Sequence, residues 1–91
     1  MINKMVYHIS YDLNKPGQNY NELYSEIKSL GSWCHPADST WYVDTNLSAT
    51  QIRDRLDAVD ATDSLIVSRA SAPAAWIGLP NDVSDWLEAC L

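Results

Sequence analysis

The sequence predicts an α+β fold in the order strand, helix, strand, strand, helix, strand, and three observations carry that prediction. Apolar residues alternate with period two over Met5 to Asp12, Ser39 to Thr45 and Ser64 to Arg69, whereas in two intervening stretches they recur every three or four residues. At 91 residues the chain has enough material for one hydrophobic core and too little for two. Two helices of this size cover one face of a four-stranded sheet, and right-handed crossovers place them there, which gives a ferredoxin-like βαββαβ sandwich spanning residues 1–91 as a single domain.

Each element has its own local reason. In the first strand Met5, Tyr7, Ile9 and Tyr11 share one face, while Val6, His8, Ser10 and Asp12 share the other. The run Leu13-Asn14-Lys15-Pro16-Gly17-Gln18-Asn19 combines turn-forming residues and reads as an exposed loop. Tyr20, Leu23, Tyr24, Ile27 and Leu30 then form a helical stripe, with Asn19 placed as N-cap, Glu22 three residues on, and Gly31 placed to end the helix in the left-handed region. A hairpin follows, Ser32 to His35 and Ser39 to Thr45, joined through Pro36-Ala37-Asp38.

Ser48-Ala49-Thr50-Gln51 fits a capping box, and Ile52, Leu56 and Val59 continue one stripe into a second helix. The strand from Ser64 to Arg69 is apolar on both faces, through Leu65 and Val67 on one and Ile66 on the other, as an interior strand requires. A C-terminal extension is expected to add a short edge strand over Ala74 to Gly78. A capped helix over Asn81 to Leu91 should follow, with Val83, Trp86, Leu87 and Cys90 turned inward. The sheet face away from the two main helices is left without cover, and four Trp with five Tyr are many bulky side chains for so small a core. A second copy of the chain is the expected cover, which makes the protein a homodimer.

Composition excludes several classes of function. The net charge is −6, and the basic residues Lys4, Lys15, Lys28, Arg53, Arg55 and Arg69 are scattered, which counts against an extensive nucleic-acid surface. The N-terminal stretch interrupts its apolar residues too soon for a signal peptide, and no run approaches the roughly 20 apolar residues of a membrane span. A cytoplasmic protein with no membrane partner is expected. Cys34 and Cys90 lack metal-ligand spacing, and isolated Gly17 and Gly31 make no phosphate-binding loop. Asp54, Asp57, Asp60 and Asp63 read as a solvated face of the second helix and its exit.

The candidate chemistry lies at the end of the first strand. Asp12 stands beside the Pro-Gly loop on the uncovered face with His8 and Ser10, where a carboxylate can hold a divalent cation or a water. The other reading of Asp12 is a carboxylate that bonds the loop's own backbone N–H groups. His8, on the same face, has the chemistry of a proton carrier and equally that of a structural histidine. Cys34 and His35 are neighbours on a strand and point to opposite faces, so they cannot act as a thiol–imidazole pair.

The stretch Ile9-Ser10-Tyr11-Asp12-Leu13, the loop and helix ending in Leu30-Gly31, and the strand containing Ser39-Thr40-Trp41-Tyr42-Val43 resemble the small CRISPR-associated protein two family. The likeness is closest to its SinR-like branch, related also to virulence-associated protein D, and its strongest motif is Tyr11 through Gly17. The resemblance implies a ferredoxin-like homodimer in which Asp12 approaches its symmetry mate. In some members that pair is proposed to hold Mg²⁺ for phosphodiester cleavage, and in others the protein is a structural dimer in spacer acquisition.

The expected function is therefore a nucleic-acid-associated homodimer with Mg²⁺-dependent endonuclease activity, Asp12 being the metal ligand and catalytic residue, with Ser10 and Lys15 as weaker neighbours. The alternative is a non-catalytic interaction or structural dimer, an acquisition-complex or toxin–antitoxin subunit whose acidic surface meets a basic protein.

Overall fold

The computed structural model describes residues 4–12, 20–58 and 64–91. Seven elements follow one another: β1 (Met5–Tyr11), α1 (Asn21–Lys28), β2 (Ser32–Ala37), β3 (Thr40–Thr45), α2 (Ala49–Asp57), β4 (Leu65–Ala70) and α3 (Asn81–Cys90). The strands form one sheet in the order β2-β3-β1-β4, with every neighbouring pair antiparallel. The architecture is thus α+β, a four-stranded antiparallel sheet with three helices among the described residues. None of these helices is long and apolar enough to cross a membrane.

Period-two patterning sets the helix-side core. Tyr7, Ile9 and Tyr11 of β1 and Trp41 and Val43 of β3 pack beneath Leu23 and Ile27 of α1 and Ile52 and Leu56 of α2. Each such aliphatic side chain contributes on the order of 1.5–3 kcal/mol by leaving water. The capping box of α2 is formed as the sequence predicts: the Ser48 hydroxyl accepts the Gln51 backbone N–H (3.1 Å), and the Gln51 side chain accepts the Ser48 N–H (2.9 Å). The guanidinium of Arg55 reaches from α2 to Glu26 and Ser29 beside α1 and ties the two helices at their exposed rim.

Several expectations need correction. Gly31 does not end α1 in the left-handed region; Gly78 alone among the described residues has a positive φ, and the α1 C-cap, Ser29, is right-handed. Gly31 instead passes so close to the backbone of β3 that a Cβ would collide with the Asp44 carbonyl. β2 runs through Pro36 to Ala37, past the expected His35, with a register shift between Cys34 and Ala37. An edge strand tolerates a proline because its outward N–H has no partner to lose.

β4 was expected inside the sheet and lies at its other edge, so Ile66 remains 60% exposed. Residues 71–80 form no strand, against the expectation for Ala74 to Gly78. Gly78 turns with φ +79°, and the Trp76 indole N–H donates to the Ser84 hydroxyl (3.0 Å), drawing the segment onto α3 rather than along a sheet edge. The α3 helix itself is present, but its N-cap is Pro80, with no side-chain cap. The N-cap of α1 is Tyr20, without a side-chain cap, and not Asn19; Asn19 itself, Lys15, the Pro16-Gly17 turn, Val59, Asp60 and Asp63 lie outside the described residues.

The extension changes the second face of the sheet. Cys34 is buried with Val83 and Leu87 of α3, and Tyr42, Trp76, Leu79, Trp86 and Leu91 pack around them. Val6 is also buried, at 7% exposure, beside a groove that it lines with Ala89 and Cys90. The chain therefore covers the β2–β3 half of this face and the Val6 end of β1 itself, and the rest of the β1–β4 half stays open.

Candidate functional site

The open half-face is built from side chains that register places opposite one another. Ser10 of β1 is flanked by Thr40 of β3 and Ile66 of β4, and His8 by Tyr42 and Ser68. Asp12 follows β1 by one residue and is exposed. Its backbone N–H donates to the Ser64 carbonyl (3.2 Å), while the Tyr11 N–H donates to the Ser39 carbonyl (3.2 Å), so the chain is held on both sides just as it leaves the sheet.

Tyr11 supplies a further strut. Its ring lies in the core, its hydroxyl accepts the Trp41 indole N–H (2.8 Å), and that hydroxyl donates to the Asp38 carbonyl (3.1 Å). Burial pushes the Tyr11 phenol well above its ordinary range, with the Trp41 hydrogen bond offsetting part of the effect. It therefore stays a neutral donor and anchors the residue before Asp12. Outside this strut lies a shallow depression of about 290 Å³, lined by Ser10, Tyr11, Asp12, Ser64, Leu65 and Ile66.

The structure brings Asp12 and Ser10 to one site, as the sequence suggests, and adds Ser64 and Ile66, which the sequence reading did not single out. The signal for Ser64 was the start of the β4 pattern: any residue paired across from the end of β1 shares its surroundings. His8 belongs to a different part of the face. Four residue steps along the strand carry it away from Asp12, a span of about 13 Å, and its ring rests against Tyr42 at a centroid distance of 5.2 Å. Direct proton exchange between the two is ruled out within one chain.

The donor set is one carboxylate and two hydroxyls, all hard oxygen ligands of the kind Mg²⁺ takes. Among the described residues there is no group of three or more His, Cys, Asp or Glu that could hold a metal ion. One copy of the chain thus offers the right type of donor and too few charges, and the fit to Mg²⁺ requires a second carboxylate from outside.

Cys34 and His35 part as expected. His35 stacks on Trp41 with centroids 3.8 Å apart and planes 12° apart, on the helix side of the sheet, and its Nε2 lies 3.2 Å from the Asp38 carbonyl. Cys34 is buried on the opposite side, where burial chiefly, and then neighbouring Cys90, push its thiol up to about 11. A thiol held protonated in this way is a poor nucleophile.

Comparison with known proteins adds no family: no family model matches the chain, and no curated protein and no solved structure matches it.

Proposed function

We propose that this chain acts as a homodimeric interaction module of the ferredoxin-like type, with the open β1–β4 half-face as the surface shared between copies. The observation that carries this reading is Ile66, a large apolar side chain left 60% exposed among polar neighbours on a face whose other half the chain covers itself. A two-fold axis through this half-face would bury Ile66 and its symmetry mate together. The acidic balance of the chain suits a basic protein partner for the resulting dimer. Two of the described arginines are already engaged with acidic neighbours, Arg53 with Asp54 (2.9 Å) and Arg55 with Glu26 (3.2 Å), which leaves little positive charge for a phosphate backbone.

A second reading, a Mg²⁺-dependent endonuclease acting on nucleic acid, is favoured by one feature, the oxygen donors of Asp12, Ser10 and Ser64 around the depression. The dimer would bring the Asp12 carboxylate toward its mate and supply the missing charge. Bound there, Mg²⁺ would polarise a phosphodiester. Asp12 would hold the cation, and Ser10 would orient a water or phosphate oxygen beside it. The likeness of Tyr11 through Gly17 to the CRISPR-associated protein two family supports this second reading, as it supports the dimer.

Sedimentation and a cleavage assay separate the two. The wild type should sediment at twice the 10.2 kDa chain mass, and Ile66→Glu should weaken the dimer at least tenfold by burying two like charges at the axis. A monomeric wild type removes the interaction reading and the paired carboxylates together. The endonuclease reading stands only if the wild type degrades DNA or RNA, chelator abolishes the activity, and Asp12→Asn loses it while remaining dimeric.

A further inference from the structure

The two edges of the sheet are built differently. β2 carries Pro36 and a register shift between Cys34 and Ala37, features that keep an edge from pairing with another chain. β4 has neither: Leu65–Ala70 runs in unbroken register along β1.

Register shows which backbone groups of β4 face outward. The Asp12 N–H donates to the Ser64 carbonyl, and Asp12 stands opposite Ser64 in the same register that pairs Ser10 with Ile66, His8 with Ser68 and Val6 with Ala70. Hydrogen-bonded pairs alternate along an antiparallel ladder, so Ile66, Ser68 and Ala70 turn their N–H and C=O groups toward β1. Leu65, Val67 and Arg69 turn theirs away from the sheet, and among the described residues nothing bonds them. A further strand would find these donors and acceptors in place.

The sequence of this edge is its own complement. From Ser64 to Ser68 it reads Ser-Leu-Ile-Val-Ser, the same kinds of residue in either direction about Ile66. Antiparallel pairing of two copies about a two-fold axis at Ile66 sets Ser64 against Ser68, Leu65 against Val67 and Ile66 against its mate. The outward groups of Leu65 and Val67 then bond each other across the axis. Ile66 falls at a non-hydrogen-bonded pair, where facing side chains come closest.

Other registers fail. An axis at Val67 would face Ile66 with Ser68 and Leu65 with Arg69, an axis at Leu65 would face Ile66 with Ser64, and an axis between residues would set outward groups against inward ones. With the axis at Ile66, Arg69 and its mate stand at opposite ends of the ladder, about 20 Å apart along the strands. On the α2 side, Leu65 and Val67 are partly buried against the core. A groove of about 260 Å³ borders them there, lined by Ala49, Thr50, Arg53, Leu65, Ile66 and Val67, and it gives the mate's Leu65 and Val67 side chains a surface to enter.

We infer that two copies of the chain join β4 to β4, antiparallel about Ile66, into one eight-stranded sheet. The inference deepens the interaction-module reading and rests on it for the second copy. It also parts that reading from the metal-site one. Three strand spacings and four residue steps would separate Asp12 from its mate, about 20 Å in all, too far to share a cation.

The test is disulfide trapping and amide exchange on the full chain. Cα atoms at a non-hydrogen-bonded pair lie about 4.5 Å apart, within the span of a disulfide. Ile66→Cys should therefore oxidise to a covalent dimer, each pair of thiols passing two electrons and two protons to oxidised glutathione. Ser68→Cys, about 13 Å from its mate, should not cross-link, whereas Ser64→Cys combined with Ser68→Cys should. The wild type, with Cys34 and Cys90, is the control. In the wild type the Leu65 and Val67 amides should exchange about tenfold more slowly in concentrated than in dilute samples, with a smaller change at Ile66 and Ser68, whose amides are bonded to β1 in either state. A dimer by sedimentation whose Ile66→Cys form does not cross-link, or whose Leu65 and Val67 amides exchange at one rate throughout, overturns the ladder and leaves the interaction reading standing. A chain monomeric at every concentration overturns both.

Discussion

The two faces of the sheet are covered in different ways. On one, α1 and α2 close over Tyr7, Ile9, Tyr11, Trp41 and Val43, and the core there is continuous from strand to helix. On the other, a single C-terminal helix covers β2 and β3 with a smaller cluster around Cys34, Val83 and Leu87, and it leaves β1 and β4 open. Cover that comes in one short piece ends somewhere: the groove beside Trp33 lies at the start of α3, the groove beside Val6 at its end, and the depression beside Asp12 lies clear of the helix altogether. The first face is organised for stability, and the second divides its area between stability and exposed chemistry.

The largest expected effect tests the closed face. Trp41→Ala should cost about 3–5 kcal/mol in urea unfolding, because Trp41 is 1% exposed, stacks on His35, and donates to the hydroxyl that anchors Tyr11. A cost below that of Leu87→Ala would erase the distinction between the faces. Leu87→Ala should itself cost about 2–3 kcal/mol, in the lower part of the range for such changes, since the cluster under α3 borders open grooves and can partly collapse. Loss of more than this, with unfolding no longer cooperative, would show that α3 belongs to the main core.

A smaller effect sharpens the comparison through pH. The Cys34 thiol, ordinarily near 9.0, is raised to about 11 in the folded chain. The unfolded chain therefore releases its proton first as pH rises, and the stability this thiol contributes is fully present below about pH 9 and lost as pH climbs toward 11. Thermal melts of the wild type should fall more steeply across this window than those of Cys34→Ala. Parallel curves would mean that water reaches the thiol beneath α3.

Local pattern by itself determined a good part of this protein. The alternation in β1 and β3 and the helical stripes through Leu23, Ile27, Ile52 and Leu56 decide which side chains meet, because backbone geometry turns spacing into direction without help from distant residues. The capping box at Ser48 is legible for the same reason: both partners lie within four residues. The Cys34–His35 pair could likewise be set aside from strand geometry alone, and Asp12 with Ser10 could be assigned to one face.

What only the tertiary structure decided is where those faces end up. The apolar pattern of Leu65, Ile66 and Val67 is the same for an interior strand and for an edge strand, so the exposure of Ile66 depends on strand order, which no local signal encodes. The role of Gly31 depends on Asp44 approaching from another strand, a contact thirteen positions away in the chain. The groove between Trp33 and Trp86 joins residues from β2 and α3, and its existence follows from α3 folding back across the sheet instead of extending its edge. Spacing along a chain sets direction, but proximity between distant segments is set by the packing of the whole, and the depressions on the surface of this protein are of that second kind.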